Sequence, residues 1–152
     1  MSQKSNREEP MAESITSFMT ADHQHCDHLF AKAEEAIEQQ NPSLMEQFLV
    51  EMARHFRLEE DLLFGAFEEE TGMHGSGPTE MMRIEHKQMR ALMTQIEGAI
   101  SVKDFEQVRR AGETLLILMQ QHNLKEENML YQMMDMHLNV PDVIKQLKEL
   151  NH

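Results

Sequence analysis

Four stretches of this chain repeat their apolar residues at the 3.6-residue spacing of an amphipathic helix, and each stretch is closed by its own break. Asn41-Pro42-Ser43 ends the first, and Ser43 is expected to cap the second, because Pro42 cannot continue a helix. The glycine-rich run from Thr71 to Pro78 separates the second from the third, with Pro78 in the first turn of the latter. Ser101 to Asp104 divides the third from the fourth, and Asn139 to Asp142 ends the fourth. Beyond it a short amphipathic segment to Leu150 is expected to pack across one end. The expected helices run over about 14–40, 43–70, 78–100 and 104–138. Such long helices joined by such short connections predict an all-α fold, an antiparallel up-down-up-down four-helix bundle with a short extra C-terminal helix.

The chain has 152 residues, the size of one domain, so residues 1–12 are read as a polar tail and 13–152 as the bundle. No internal repeat, low-complexity tract or second domain is visible. Fifteen methionines, no tryptophan and one tyrosine favour adaptable helical packing over a β-rich core. With 27 acidic against 14 basic side chains, the net charge of -13 repels polyanions, so neither nucleic acid nor an anionic membrane is an expected partner. No apolar run reaches the roughly 18 residues of a membrane span, and the opening MSQKSNREEP lacks a signal peptide's apolar centre, so a cytoplasmic location is expected. Cys26 is the only cysteine, which leaves no intrachain disulfide and no CxxC motif. Any metal site must then be built from oxygen and nitrogen.

The polar residues that share the apolar stripes are the informative ones. On the second helix the stripe of Met45, Phe48, Leu49, Met52, Phe56, Leu63 and Ala66 is completed by His55 and Glu59. On the fourth, Val108, Ala111, Leu115, Leu118, Met119, Met129 and Met133 are interrupted by His122 and Glu126, the same His-x-x-x-Glu spacing. The third carries His86 among Met82, Met89, Met93, Ile96 and Ile100, with Glu85 at the margin. The first carries His23, beside Asp22, among Ile15, Met19, Cys26, Leu29, Phe30, Ala33 and Ile37. His25 falls nearer the edge, while His28, His74, His137 and His152 read as solvated.

A single inward histidine is usually a hydrogen-bonded core residue, and a methionine cluster such as Met129, Met133, Met134 and Met136 is usually core filling rather than a cuprous site. Two inward glutamates are harder to explain by packing. An isolated carboxylate in a low-dielectric core costs several kcal/mol or becomes neutral, and two together repel. No Lys or Arg lies centrally in the stripes, although Arg90 approaches the margin, so a metal is the economical counter-charge. Spacing of i, i+4 lets one helix offer a nitrogen and an oxygen to one centre, and this donor mix suits iron, manganese or zinc.

Taken together, DHQHCDHLF (22–30), HFRLEEDLLF (55–64), EHKQMR (85–90) and HNLKEENMLY (122–131) resemble the hemerythrin-like, or HHE cation-binding, domain over about residues 14–138. The resemblance implies a four-helix bundle around two non-haem iron ions bridged by carboxylates, with His23, His55, Glu59, His86, His122 and Glu126 as ligands. It also implies that the centre takes a small species such as O2, NO or peroxide. Oxygen-carrying members have His-x-x-x-His on the third helix and an Asp five residues after the histidine of the fourth. Here Arg90 stands four after His86 and Met82 four before it, and Glu126 stands four after His122. One imidazole fewer speaks against reversible oxygen transport and leaves positions open for a small ligand, with Glu85 able to fill one and Asp22 placed to orient an imidazole. The reading favoured is a metal-binding protein in oxygen or redox sensing, or stress response. The alternatives are a di-iron oxidoreductase, peroxidase-like or NO-reductase-like, which would need a redox partner protein, and an iron storage or handling protein.

Overall fold

A computed structural model describes residues 13–151, so the tail expected over 1–12 and the terminal His152 lie outside the described residues. Helix α1 (Ile15–Glu38) opens on a capping box between Ser14 and Ser17, each side chain bonded to the other's backbone N–H. A second cap comes from far along the chain: Asp135 accepts the backbone N–H of Ile15 at 2.7 Å and of Thr16 at 3.2 Å. Helix α2 (Ser43–Leu58) starts at the expected residue, but its cap is not the expected one. Pro42, not Ser43, holds the N-cap position, and Asn41 Oδ1 accepts the Ser43 N–H at 3.1 Å in place of a serine cap. After a π-helical turn (Glu59–Leu63) the helix continues as α3 (Phe64–Thr71), which Gly72 terminates in the left-handed conformation at φ 76°.

Helix α4 (Gly77–Ser101) carries Pro78 in its first turn, as expected. Helix α5 (Phe105–Lys125) is capped by Asp104, passes through a second π-helical turn (Glu126–Leu130) and continues as α6 (Tyr131–His137). Helix α7 (Val140–Leu150) is capped by Asn139. Counting α2–α3 and α5–α6 as continuous rods gives a bundle of five helices, with no strand among the described residues. None of these helices is long and apolar enough to cross a membrane.

The core divides into two apolar clusters. One contains Phe30, Phe48, Phe56, Met89, Ile96 and Leu115, and the other Met19, Phe64, Phe67, Met82, Leu130 and Tyr131. Val143, Ile144 and Leu147 of α7 belong to the second cluster, so this last helix closes that end, as its amphipathic pattern led one to expect. Each long helix crosses from one cluster to the other, and each places a histidine at the crossing. His23 follows Met19 and precedes Cys26, and His86 follows Met82 and precedes Met89.

The stripe expected on α1 is buried throughout. Those expected beyond Glu59 and Glu126 are buried only in part, as at Leu63. Met129 is 50% exposed and Ala66 only half-buried, while Phe64, Phe67, Leu130, Tyr131 and Met134 are buried instead. The cause is the π-helical turn, which inserts one extra residue and advances the buried face by about 100°.

Candidate metal centre

Between the two apolar clusters lie His23, His55, Glu59, His86, His122 and Glu126, all buried. They form two overlapping groups, His23, His55, Glu59 and Glu126, and Glu59, His86, His122 and Glu126, each with donor atoms within 4.8 Å of one another. Both glutamates belong to both groups. His23 Nε2 lies 3.0 Å from Glu126 Oε1, and His86 Nε2 lies 3.0 Å from Glu59 Oε1. On their own helices, His122 Nε2 is 3.1 Å from Glu126 Oε2, and His55 Nε2 is 3.6 Å from Glu59 Oε1.

Each of the four imidazoles turns its other nitrogen outward to a carboxylate. His55 Nδ1 pairs with Asp22 at 2.6 Å, His122 Nδ1 with Glu85 at 2.8 Å, His86 Nδ1 with Glu60 at 2.6 Å and His23 Nδ1 with Glu127 at 2.6 Å. A carboxylate holding the Nδ1 proton leaves Nε2 with a bare lone pair aimed at the centre, the tautomer that binds a metal. Five buried atoms here that find no hydrogen-bond partner are consistent with this: Nε2 of His55, His86 and His122, Glu59 Oε1 and Glu126 Oε2. Lone pairs facing lone pairs in an apolar interior need a cation between them, and leaving such groups unanswered is costly. The donor set therefore fits a metal.

With only protein groups to answer the charge, protons take the metal's part. Burial and the neighbouring Glu126 push Glu59 above the usual carboxylate range. Burial opposes ionisation of Glu126 as well, but His122, Glu59 and His23 hold it far below that range. Burial alone would lower His23 and His122, yet the Glu126 carboxylate beside both raises each from 6.5 to about 9.

Residues 14–134 match the hemerythrin HHE cation-binding domain. The chain belongs to this family. No curated protein and no solved structure shows a significant match. For a hemerythrin-like domain, a His and Glu cluster at the crossing of the bundle marks a metal-binding protein.

Sequence reasoning did not find the whole surround of this hemerythrin-like centre. Asp22 orients an imidazole, as expected, but that of His55, across the α1–α2 interface. Glu85 does not enter the centre; it receives His122 on one oxygen and Lys125 on the other. Glu60 and Glu127 were not singled out, although each directly follows an inward glutamate, where a 100° step turns a side chain from the core to the flank. Arg54 and Arg90 anchor Asp22 and Glu60, both at 2.6 Å. His25 is exposed and pairs with Glu51, outside the cluster. The chain's one tyrosine was also missed. Tyr131 is fully buried, with its hydroxyl 2.6 Å from Glu59 Oε2, 2.8 Å from Glu126 Oε1 and 3.1 Å from His23 Nε2. A cleft of about 120 Å³ between α4 and α5 reaches His122 past Glu85 and Lys125.

Proposed function

We propose that this chain is a di-iron protein of the hemerythrin-like family, with His23 and His55 holding one iron, His86 and His122 the other, and Glu59 and Glu126 shared between them. The observation that carries the reading is the sharing: two four-residue donor groups have both glutamates in common. Two carboxylates serving two adjacent positions is the arrangement that bundles use for pairs of ions. Nitrogen and carboxylate donors together favour a transition metal over calcium or magnesium, and iron over manganese or zinc is the family's usual choice. The short connections between long helices support an antiparallel up-down-up-down course for the four main rods.

When bound, the irons supply a redox-active Lewis acid for a small oxygen or nitrogen species: O2, NO or peroxide. The protein's own part is to hold six donors in place, to fix each imidazole through an outer carboxylate and to surround the site with apolar side chains that keep bulk water out. Such a centre serves oxygen or redox sensing or a stress response. With its one cysteine buried, the chain has no disulfide to form, which accords with a cytoplasmic setting.

The test is metal analysis of freshly purified protein, joined to optical spectra of the reduced form before and after oxygen is admitted. Two irons per chain and an oxygen-dependent change in the visible band are expected. Absence of bound transition metal from protein expressed with ample iron would overturn the reading.

A further inference from the structure

The two segments HFRLEEDLLF (55–64) and HNLKEENMLY (122–131) align without a gap, and each contains its helix's π-helical turn. What the sequence alone does not display as a repeat is a local two-fold relation in space. His23 and His55 ring centres lie 4.7 Å apart, and those of His86 and His122 lie 4.9 Å apart. Asp22 holds His55 as Glu85 holds His122, and Glu127 holds His23 as Glu60 holds His86. The relation extends to the last position of the aligned segments. Phe64 lies 5.4 Å from the His86 ring at 33°, and Tyr131 lies 5.6 Å from the His23 ring at 34°. The two halves thus match in their imidazoles, glutamates and outer carboxylates, but one offers a hydroxyl where the other offers a ring hydrogen.

The hydroxyl's position is specific. It stands 2.6, 2.8 and 3.1 Å from Glu59 Oε2, Glu126 Oε1 and His23 Nε2, donors of three residues in the His23–His55 group. Ligands at about 2.1 Å from a six-coordinate ion lie about 3 Å from their neighbours, so an oxygen at these separations is placed where a further ligand would lie. A hydroxyl has one proton to give and lone pairs that accept, and contact with Glu59, Glu126 and His23 at once places it inside the donor cluster and not at its edge.

We propose that Tyr131 is a further ligand, binding as phenolate to the His23–His55 metal position, and that the His86–His122 position has no counterpart because Phe64 stands in the equivalent place. The inference rests on the di-iron reading above. On binding, the phenolic O–H bond breaks, its proton leaves to the buffer, and an oxygen–metal bond forms without transfer of an electron. The phenolate adds a donor on the His23–His55 side and does not stand in for the imidazole missing from the third helix, which belongs to the His86 side. It also makes the two positions unequal, leaving the side walled by Phe56 and Phe64 with the lower coordination. Phe56 stacks on His86 at 4.0 Å, so that side is also the more apolar.

The experiment uses the full chain loaded with ferric iron and compares wild type, Y131F and F64Y by metal content, visible absorption and resonance Raman. Phenylalanine is sterically acceptable at 131, since Phe64 fills the related place. Wild type is expected to show a phenolate-to-iron charge-transfer band with enhanced tyrosinate vibrations. Y131F should hold the same iron without band or vibrations, and F64Y should roughly double the band. Equal iron and identical spectra in wild type and Y131F would overturn the proposal, reducing Tyr131 to a hydrogen-bond donor and leaving the di-iron reading intact. Failure of wild type to retain iron would overturn both. If Y131F does not fold, the wild-type vibrations decide: tyrosinate modes support ligation and their absence refutes it.

Discussion

Asp22 on α1 and His55 on α2 are joined by a 2.6 Å contact between Oδ2 and Nδ1, while the other carboxylate oxygen holds Arg54 at 2.6 Å. Burial opposes the charge on Asp22, but His55 and Arg54 outweigh it and hold the carboxyl down at about 2. The aspartate is therefore ionised at any working pH and fixes which His55 nitrogen faces the centre. Removing such a partner of a ligating histidine typically costs about 10- to 100-fold in metal affinity. D22A is expected to lose affinity in that range by chelator competition, with helicity retained. D22N, which keeps an acceptor for the Nδ1 proton but loses the charge, should fall between D22A and wild type.

The sharing of Glu59 and Glu126 between the two donor groups sets a stoichiometric expectation. E59A and E126A each remove a donor from both groups and should abolish tight binding at both positions. H86A and H122A leave His23, His55, Glu59 and Glu126 in place and should bind a single metal. Metal analysis after gel filtration distinguishes these outcomes, and identical stoichiometry in E59A and H86A would contradict the shared arrangement.

Much of this arrangement is written in the chain, up to a definite point. His23, His55, His86 and His122 sit in apolar stripes whose 3.6-residue period holds as far as the first inward glutamate, so the six central residues could be read by counting. Past Glu59 and Glu126 the counting fails, because a π-helical turn changes the period and nothing in EEDLL or EENML announces it. The error moves by one residue, enough to exchange buried Tyr131 and Leu130 for exposed Met129. The outer carboxylates are hidden for another reason. Glu60 serves His86, 26 residues away, and Glu127 serves His23, 104 residues away, partnerships set by helix packing and not by local spacing. The Asp135 cap on α1, across 120 residues, is equally non-local.

Two glycines away from the centre offer a check on the packing. Gly98 is exposed within α4, and a Cβ there meets nothing within 4 Å. Gly112 is buried in α5, where a Cβ would meet the Phe30 ring at 3.5 Å, an ordinary van der Waals contact. Glycine in a helix interior costs about 0.8–1.0 kcal/mol relative to alanine. G98A and G112A should each stabilise by about that amount, raising Tm by roughly 2–4 °C. A clear loss of stability in G112A would show that Phe30 packs more tightly against α5 than described.

The central histidines give the metal-free and metal-loaded proteins opposite responses to pH. Burial lowers the affinity of His23 and His122 for a proton, but Glu126 beside both more than offsets this and raises them from 6.5 to about 9. A folded-state value above the unfolded one means that folding favours the protonated form. Their contribution to stability is fully present below pH 6.5 and is lost as pH rises through about 9. Metal binding instead requires the same Nε2 atoms without protons, so each proton displaced is a cost that shrinks as pH rises. Protein stripped by chelator should lose Tm between pH 6.5 and 9, while metal affinity measured by chelator competition should increase across the same interval. Replacing Glu126 by Gln should flatten the first profile by removing the carboxylate that holds both protons. Parallel trends in the two measurements would mean that the imidazoles do not exchange proton for metal at Nε2.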